Sequence, residues 1–178
     1  MKEYTFLNGL HIKVPQSTCR GCYLENMQCL PEELQPIWSN KDFIVRQDAE
    51  CPVPGFYIIS TRKHIQLISD FSIKQAQELG ILIYKIRFYM KEILKINRVE
   101  IILEERKVNP HFHIWLLPLW EDIIDKYEID PKVWNSNILQ YIQLFEYNTK
   151  NKKAILQYNS QMRNILQKDG ELNELVEY

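Results

Sequence analysis

Four short stretches of this chain read as strands, and three longer ones carry apolar residues at helical spacing. Asp42–Arg46, Phe56–Ser60 and Val99–Glu104 are rich in β-branched and aromatic residues. His111 to Leu117 is the fourth. In a strand, side chains alternate between faces, so Phe112, Ile114 and Leu116 share a core face while His111, His113 and Trp115 share the other. The polar turn at Glu105–Val108 predicts that the third and fourth strands pair as a hairpin. Ser72 opens the clearest helix, with Gln75 placed for a capping box. Ile73, Ala76, Leu79, Leu82, Ile83, Ile86, Met90, Ile93 and Leu94 form its apolar stripe. Lys74, Glu78, Lys85, Lys91 and Glu92 are expected on a solvated face.

After Pro118 the pattern is helical throughout. Trp134, Ile138, Leu139, Ile142 and Phe145 mark one helix. Ala154, Ile155, Tyr158, Met162, Ile165 and Leu166 mark a second, expected to end near Gly170. Lys150, Lys152 and Lys153 would then lie in the loop between them. Residues 1–18 read as an extended arm.

Composition narrows the class. The 178 residues are 46% hydrophobic and 12% aromatic, enough to build a core. Lys plus Arg total 22 against 23 Asp plus Glu, so a duplex nucleic-acid or membrane-surface role is not expected. No apolar run reaches the length of a membrane span. The expectation is a cytoplasmic protein, in which Cys19, Cys22, Cys29 and Cys51 are thiols or metal ligands rather than disulfide partners.

Two stretches carry candidate chemistry. Cys19-Arg20-Gly21-Cys22 has the spacing of half a zinc knuckle and needs two further ligands, for which Cys29, Cys51 and the histidines are available. The alternative is a pair of unligated thiols in a turn. On the fourth strand, two imidazoles and an indole on one face are costly to bury without water, a metal or a ligand.

Three separated segments resemble the histidine-triad superfamily. Pro52 to His64 is similar to its proline–glycine turn, strand and basic–basic–histidine segment. The long helix follows in the expected place. His111-Phe112-His113-Ile114-Trp115-Leu116-Leu117-Pro118 is similar to the triad strand itself. Asn109-Pro110-His111 followed by His113 also resembles the galactose-1-phosphate uridylyltransferase branch. The resemblance spans roughly 19–118.

The resemblance implies an α+β fold. Residues 1–118 would form an antiparallel sheet of about five strands with a long helix packed on it, often dimerised. Residues 119–178 would be a helical C-terminal extension. It further implies a structural zinc on Cys19, Cys22, His64 and His111, with Cys29 and Cys51 as spares. His113 takes the place of the nucleophile that attacks the α-phosphate of a nucleotide or nucleotide sugar, and Asn109 would orient the phosphate or the imidazole.

The chain departs from the family pattern in three places. Trp115 replaces the third triad histidine, or the glutamine of the uridylyltransferases. Arg106-Lys107-Val108 replaces the glycine-containing phosphate loop, so phosphate would be met by the Arg106 and Lys107 side chains. The chain beyond Pro118 is long enough to cover the site. Two functions fit these residues. One is a nucleotide hydrolase or nucleotidyl transferase working through a nucleotidyl-histidine. The other is an inactive zinc-stabilised module that binds a nucleotide or a protein.

Overall fold

The computed structural model describes residues 1–27, 29–108, 110–129 and 134–175, the side chains of residues 134–136 excepted. A five-stranded antiparallel sheet is its centre. β3 (Trp38–Ser39), β4 (Phe43–Gln47), β5 (Tyr57–Thr61), β6 (Val99–Leu103) and β7 (His113–Pro118) lie in the order β3-β4-β5-β7-β6. The hairpin expected from the polar turn is present, with Ile101 opposite Leu116 and Leu103 opposite Ile114.

Alternation assigns the two faces. Phe43 and Val45 of β4, Tyr57 and Ile59 of β5, and Ile114 and Leu116 of β7 are buried beneath α2 (Ile73–Glu92). That helix contributes Leu79, Leu82, Ile86 and Met90 to the same core. Its start is the capping box: Ser72 accepts from the Gln75 N–H, and Gln75 accepts from the Ser72 N–H. The sheet's opposite face carries Ile44 and Arg46, Ile58 and Ser60, and His113 and Trp115. In register, Arg46 stands opposite Ile58, which stands opposite Trp115. Ser60 stands opposite His113.

The opening residues form more than an extended arm. β1 (Lys2–Thr5) and β2 (His11–Val14) make a separate antiparallel hairpin. Phe6, Leu7, Ile12 and Val14 pack there with Leu24 of α1 (Arg20–Glu25), Leu34 and Ile155. The helices after the sheet share its cores. Met162 and Leu166 of α5 (Thr149–Leu166) and Leu172 of α6 (Gly170–Glu174) join the cluster under α2. Tyr141 and Ile142 of α4 (Trp134–Gln143) pack with Val53, Phe56 and Leu117. The Tyr141 hydroxyl donates to the Pro118 carbonyl at 2.8 Å and accepts from the Trp120 N–H. α3 (Glu121–Lys126) joins the sheet to these helices.

Three sequence expectations change. Glu78 is buried, not solvated, and accepts from Asn40 Nδ2 at 3.3 Å. Lys150, Lys152 and Lys153 lie in α5 rather than in a loop, and Lys152 pairs with Glu33 at 3.3 Å. The second C-terminal helix ends at Leu166, because Asp169 caps a new helix at Gly170 by accepting from the Leu172 N–H. Asp169 is held by Lys85 and Tyr89 of α2, so one aspartate both starts α6 and ties it to the core. No described helix is long and apolar enough to cross a membrane.

Because Leu166 is fully buried among sheet and α2 residues, Leu166→Ala is expected to destabilise the whole protein by about 2–5 kcal/mol. Urea unfolding followed by circular dichroism and by tryptophan fluorescence should move together in one transition. Separate transitions would show that the C-terminal helices unfold independently.

Candidate metal centre and active-site cleft

Cys19 caps α1 and Cys22 sits in its first turn, so a short helix presents both thiols to the same side. Gly21 lies between them for a steric reason. A Cβ there would come within 2.6 Å of the His111 ring, which packs flat against the helix backbone. His64 follows β5, and His111 precedes β7. One ligand atom from each of Cys19, Cys22, His64 and His111 lies within 4.8 Å of the others.

The spacing suits a metal. His111 Nδ1 is 3.2 Å from Cys19 Sγ and 3.6 Å from Cys22 Sγ, and His64 Nδ1 is 3.5 Å from Cys22 Sγ. Zn–S of about 2.3 Å and Zn–N of about 2.0 Å give a tetrahedron with sulfur–nitrogen edges of roughly 3.5 Å. The far side of His111 fixes its tautomer. Its Nε2 donates to the Thr61 carbonyl at 2.8 Å, leaving Nδ1 with a lone pair toward the thiols. Cys29 and Cys51 stand outside the cluster: Cys29 is exposed, and the Cys51 thiol is pushed up by burial and by Asp48.

The thiols are unequal. Burial opposes ionisation of Cys19, but its contact with His111 outweighs this and brings it down to about 6. Cys22 is raised to about 11 by burial and by the neighbouring Cys19 charge. His111 moves up despite its burial, because Cys19 and the Thr61 carbonyl favour the protonated ring. Cys22, and the His111 ring when charged, carry protons on the atoms that face one another. A divalent cation would take the place of those protons.

His113 differs from His111 in its partner. Its Nδ1 donates to the backbone carbonyl of His111 at 2.7 Å. Burial, then the Arg106 charge, holds the ring below the usual histidine range. A neutral ring with its proton on Nδ1 keeps a lone pair on Nε2.

His113 opens into a cleft of about 830 Å³, counting its wide mouth, between the sheet and α1. Trp115, Arg106, Ser60, Ile58, Arg46 and Asp48 are among its walls. The Trp115 indole is half-buried, edge-on to Phe56, with the Arg106 guanidinium 5.4 Å from its ring centre. Arg106 also pairs with Glu104. Lys107 is exposed and does not line the cleft. Asn109 lies outside the described residues.

The sequence reading missed Ser60, Arg46, Asp48 and Glu25. Asp48 is buried, and one of its oxygens accepts from the Glu50 and Cys51 N–H groups. Burial raises its pKa despite those bonds. Arg46 had a signal available: it follows the apolar run Phe43-Ile44-Val45 on the face that alternation assigns opposite the core.

No family model matches the sequence, and no curated protein matches it either. Solved structures do. The chain superposes on a hypothetical histidine triad nucleotide-binding protein from Sulfolobus tokodaii with a TM-score of 0.57 at 15% identity, covering 85% of this chain and 97% of that one. A Zn-bound histidine triad family protein from Mycobacterium smegmatis gives 0.55 at 11%, covering 87% and 100%. The C. elegans NitFhit protein gives 0.52 at 15%, covering 76% of this chain but only 28% of that one. The chain therefore has the histidine-triad fold. At these identities the likeness concerns the fold.

Gly21→Ala is expected to push α1 off His111 and separate the thiols from the imidazoles. Metal bound per chain, measured after purification from zinc-supplemented cultures, should fall at least tenfold, with loss of thermal stability. Unchanged metal content in Gly21→Ala would contradict this packing argument.

Proposed function

We propose that this protein is a zinc-stabilised nucleotide hydrolase or nucleotidyl transferase acting through His113. The observation that carries this reading is the His113 Nδ1–H bond to the His111 carbonyl, which leaves an unprotonated nitrogen on a cleft wall. In the first step the Nε2–phosphorus bond forms as the bond from the α-phosphorus to the leaving oxygen breaks. The oxygen departs with the electron pair. Water or another hydroxyl then attacks phosphorus, loses its proton, and releases the imidazole. The carbonyl of His111 steadies the positive charge that His113 carries while bonded to phosphorus. Arg106 would offset phosphate charge, with Asn109 as a further candidate from the sequence.

Cys19, Cys22, His64 and His111 would hold the zinc. Four protein ligands leave no open position, so the metal would act structurally, fixing His111 and through its carbonyl the ring of His113. Trp115 shapes the choice of leaving group. Indole donates one N–H and accepts nothing, so it cannot protonate a departing amine near neutral pH. Phosphate and sugar phosphate leave as stabilised anions, and pyrophosphate-linked nucleotides, including nucleotide sugars as in the uridylyltransferase branch, are the favoured substrates. Trp115 also supports a second reading, a module that binds nucleotide or protein without turnover.

Intact-mass analysis after mixing with pyrophosphate-linked nucleotides and nucleoside phosphoramidates tests both readings. The expected result is a nucleotidyl adduct, faster turnover of the pyrophosphate-linked compounds, and loss of turnover by on the order of 10³-fold or more in His113→Asn with zinc retained. Preference for phosphoramidates would overturn the role given to Trp115. Binding without adduct or turnover would favour the module.

A homodimer through the β6 edge belongs to the same proposal. β6 ends the sheet, so no described strand pairs with its outer backbone groups, and Ile101 and Leu103 are 46% and 41% exposed. Tyr84 and Phe88 stack on the outer surface of α2, 65% and 44% exposed. A two-fold axis beside β6 would continue the sheet into a second copy. Ile101→Lys is expected to convert a dimer to a monomer in sedimentation velocity. A monomeric wild type at micromolar concentration would remove this part of the proposal.

A further inference from the structure

At the far side of the cleft from His113 lies a buried ion pair that the proposed chemistry does not use. Arg46 of β4 donates from Nη2 to Glu25 Oε1 at 2.6 Å, with side-chain exposures of 6% and 10%. Its Nε and Nη1 are buried without a hydrogen-bond partner among the described residues. Burying guanidinium N–H groups unpaired is costly, more so for a charged donor. Yet Arg46 and Glu25 both line the cleft. The protein thus places a charged fork in the wall of the cleft, with two nitrogens that no described group accepts from.

The surroundings indicate what kind of acceptor is missing. Glu25 meets Arg46 at 2.6 Å and the half-exposed Arg62 at 3.8 Å. A phosphate brought to this end would face the Glu25 carboxylate in a poorly solvated place, so an anion is disfavoured there. Leu24, Ala49 and Ile58 line the same part of the cleft, a lining suited to a flat neutral ring. The register gives the scale. Arg46 pairs with Ile58 and Ile58 with Trp115, and His113 lies two residues along from Trp115, so Arg46 stands roughly 12 Å from His113 at about 4.8 Å per strand and about 3.4 Å per residue. This is comparable to the distance from an α-phosphorus to the outer edge of its base.

Building on the proposed nucleotide chemistry, we infer that Arg46, oriented by Glu25, is a specificity-determining residue that donates to the oxo group of a base. Guanine and uracil present such a carbonyl, whereas adenine and cytosine present an amino group at the corresponding ring position. A guanidinium has donors only, and it meets an amino group donor to donor. The ligand then lies with its α-phosphate at His113 and its base across Ile58 toward Arg46. Glu25 is the last residue of α1, the helix that carries Cys22, so the base-reading pair is positioned by the element that carries two of the metal ligands.

The test is calorimetric binding of GMP, UMP, AMP and CMP to the zinc-loaded protein, with His113→Asn as a non-turning-over background. GMP or UMP is expected to bind at least about tenfold more tightly than AMP and CMP, as a good guanidinium–carbonyl contact provides. The two arms show whether the purine or the pyrimidine is taken. Arg46→Met should abolish the preference while retaining zinc. The paired variant Glu25→Leu with Arg46→Met removes both buried charges together, a change folds commonly tolerate. It should likewise bind all four monophosphates within about threefold of one another. AMP binding as tightly as GMP and UMP in the wild type would overturn the assignment and leave the nucleotide reading intact. So would a base preference that survives in either variant. Failure of all four to bind would bring down the nucleotide reading and this inference with it.

Discussion

One imidazole ties the two functional regions of this protein together. The His111 ring is buried against the backbone of α1, donates to the Thr61 carbonyl of β5, and turns its other nitrogen to Cys19 and Cys22. Its own carbonyl receives the proton of His113. A single residue thus holds the thiol pair against the sheet and sets the tautomer of the neighbouring histidine. Ring orientation is transmitted through one backbone carbonyl rather than through a side-chain network. That makes the arrangement sensitive to anything that moves α1, including a methyl group at position 21.

The cleft above this contact is divided by charge. Near His113 the groups are suited to phosphate: Arg106 lies over Trp115, and Ser60 stands opposite His113 in the sheet. Across the cleft Glu25 meets both Arg46 and Arg62, and Arg20 pairs with Glu50, as Arg106 on the near side pairs with Glu104. A ligand with one anionic end and one neutral, flat end fits this division better than one charged at both ends. Such asymmetry supports the proposed orientation of a nucleotide, and it arises from which strand each residue occupies, since net charge is only −1 over the whole chain.

The helices after β7 contribute to the core under α2. Asp169 caps α6 while bonding Lys85 and Tyr89, and Asn159 of α5 donates to the Glu33 carbonyl before β3. The contacts to Lys85, Tyr89 and Glu33 join segments 80 or more residues apart. α5 and α6 therefore stabilise the scaffold that presents the cleft, whatever further role they have.

Local pattern determined much of this protein. Alternation assigned Phe112, Ile114 and Leu116 to the core and His113 and Trp115 to the other face, because strand geometry leaves no third choice. The Ser72–Gln75 box started α2, since capping involves only residues within one turn. Spacing named Cys19 and Cys22, the family resemblance implied His64 and His111 beside them, and the structure brings the four together. Tertiary structure decided the rest. Glu78 looks solvated on a helical wheel, but a helix buried on more than one side has less free surface than its wheel suggests. The proton position on His113 depends on a backbone carbonyl whose direction no residue pattern encodes. Arg46 reads as one polar residue in a short strand until Glu25, 21 residues away, meets it across the cleft. Charges so separated acquire meaning only when folding sets their distance, because the Coulomb energy that couples them depends on space and dielectric rather than on sequence separation.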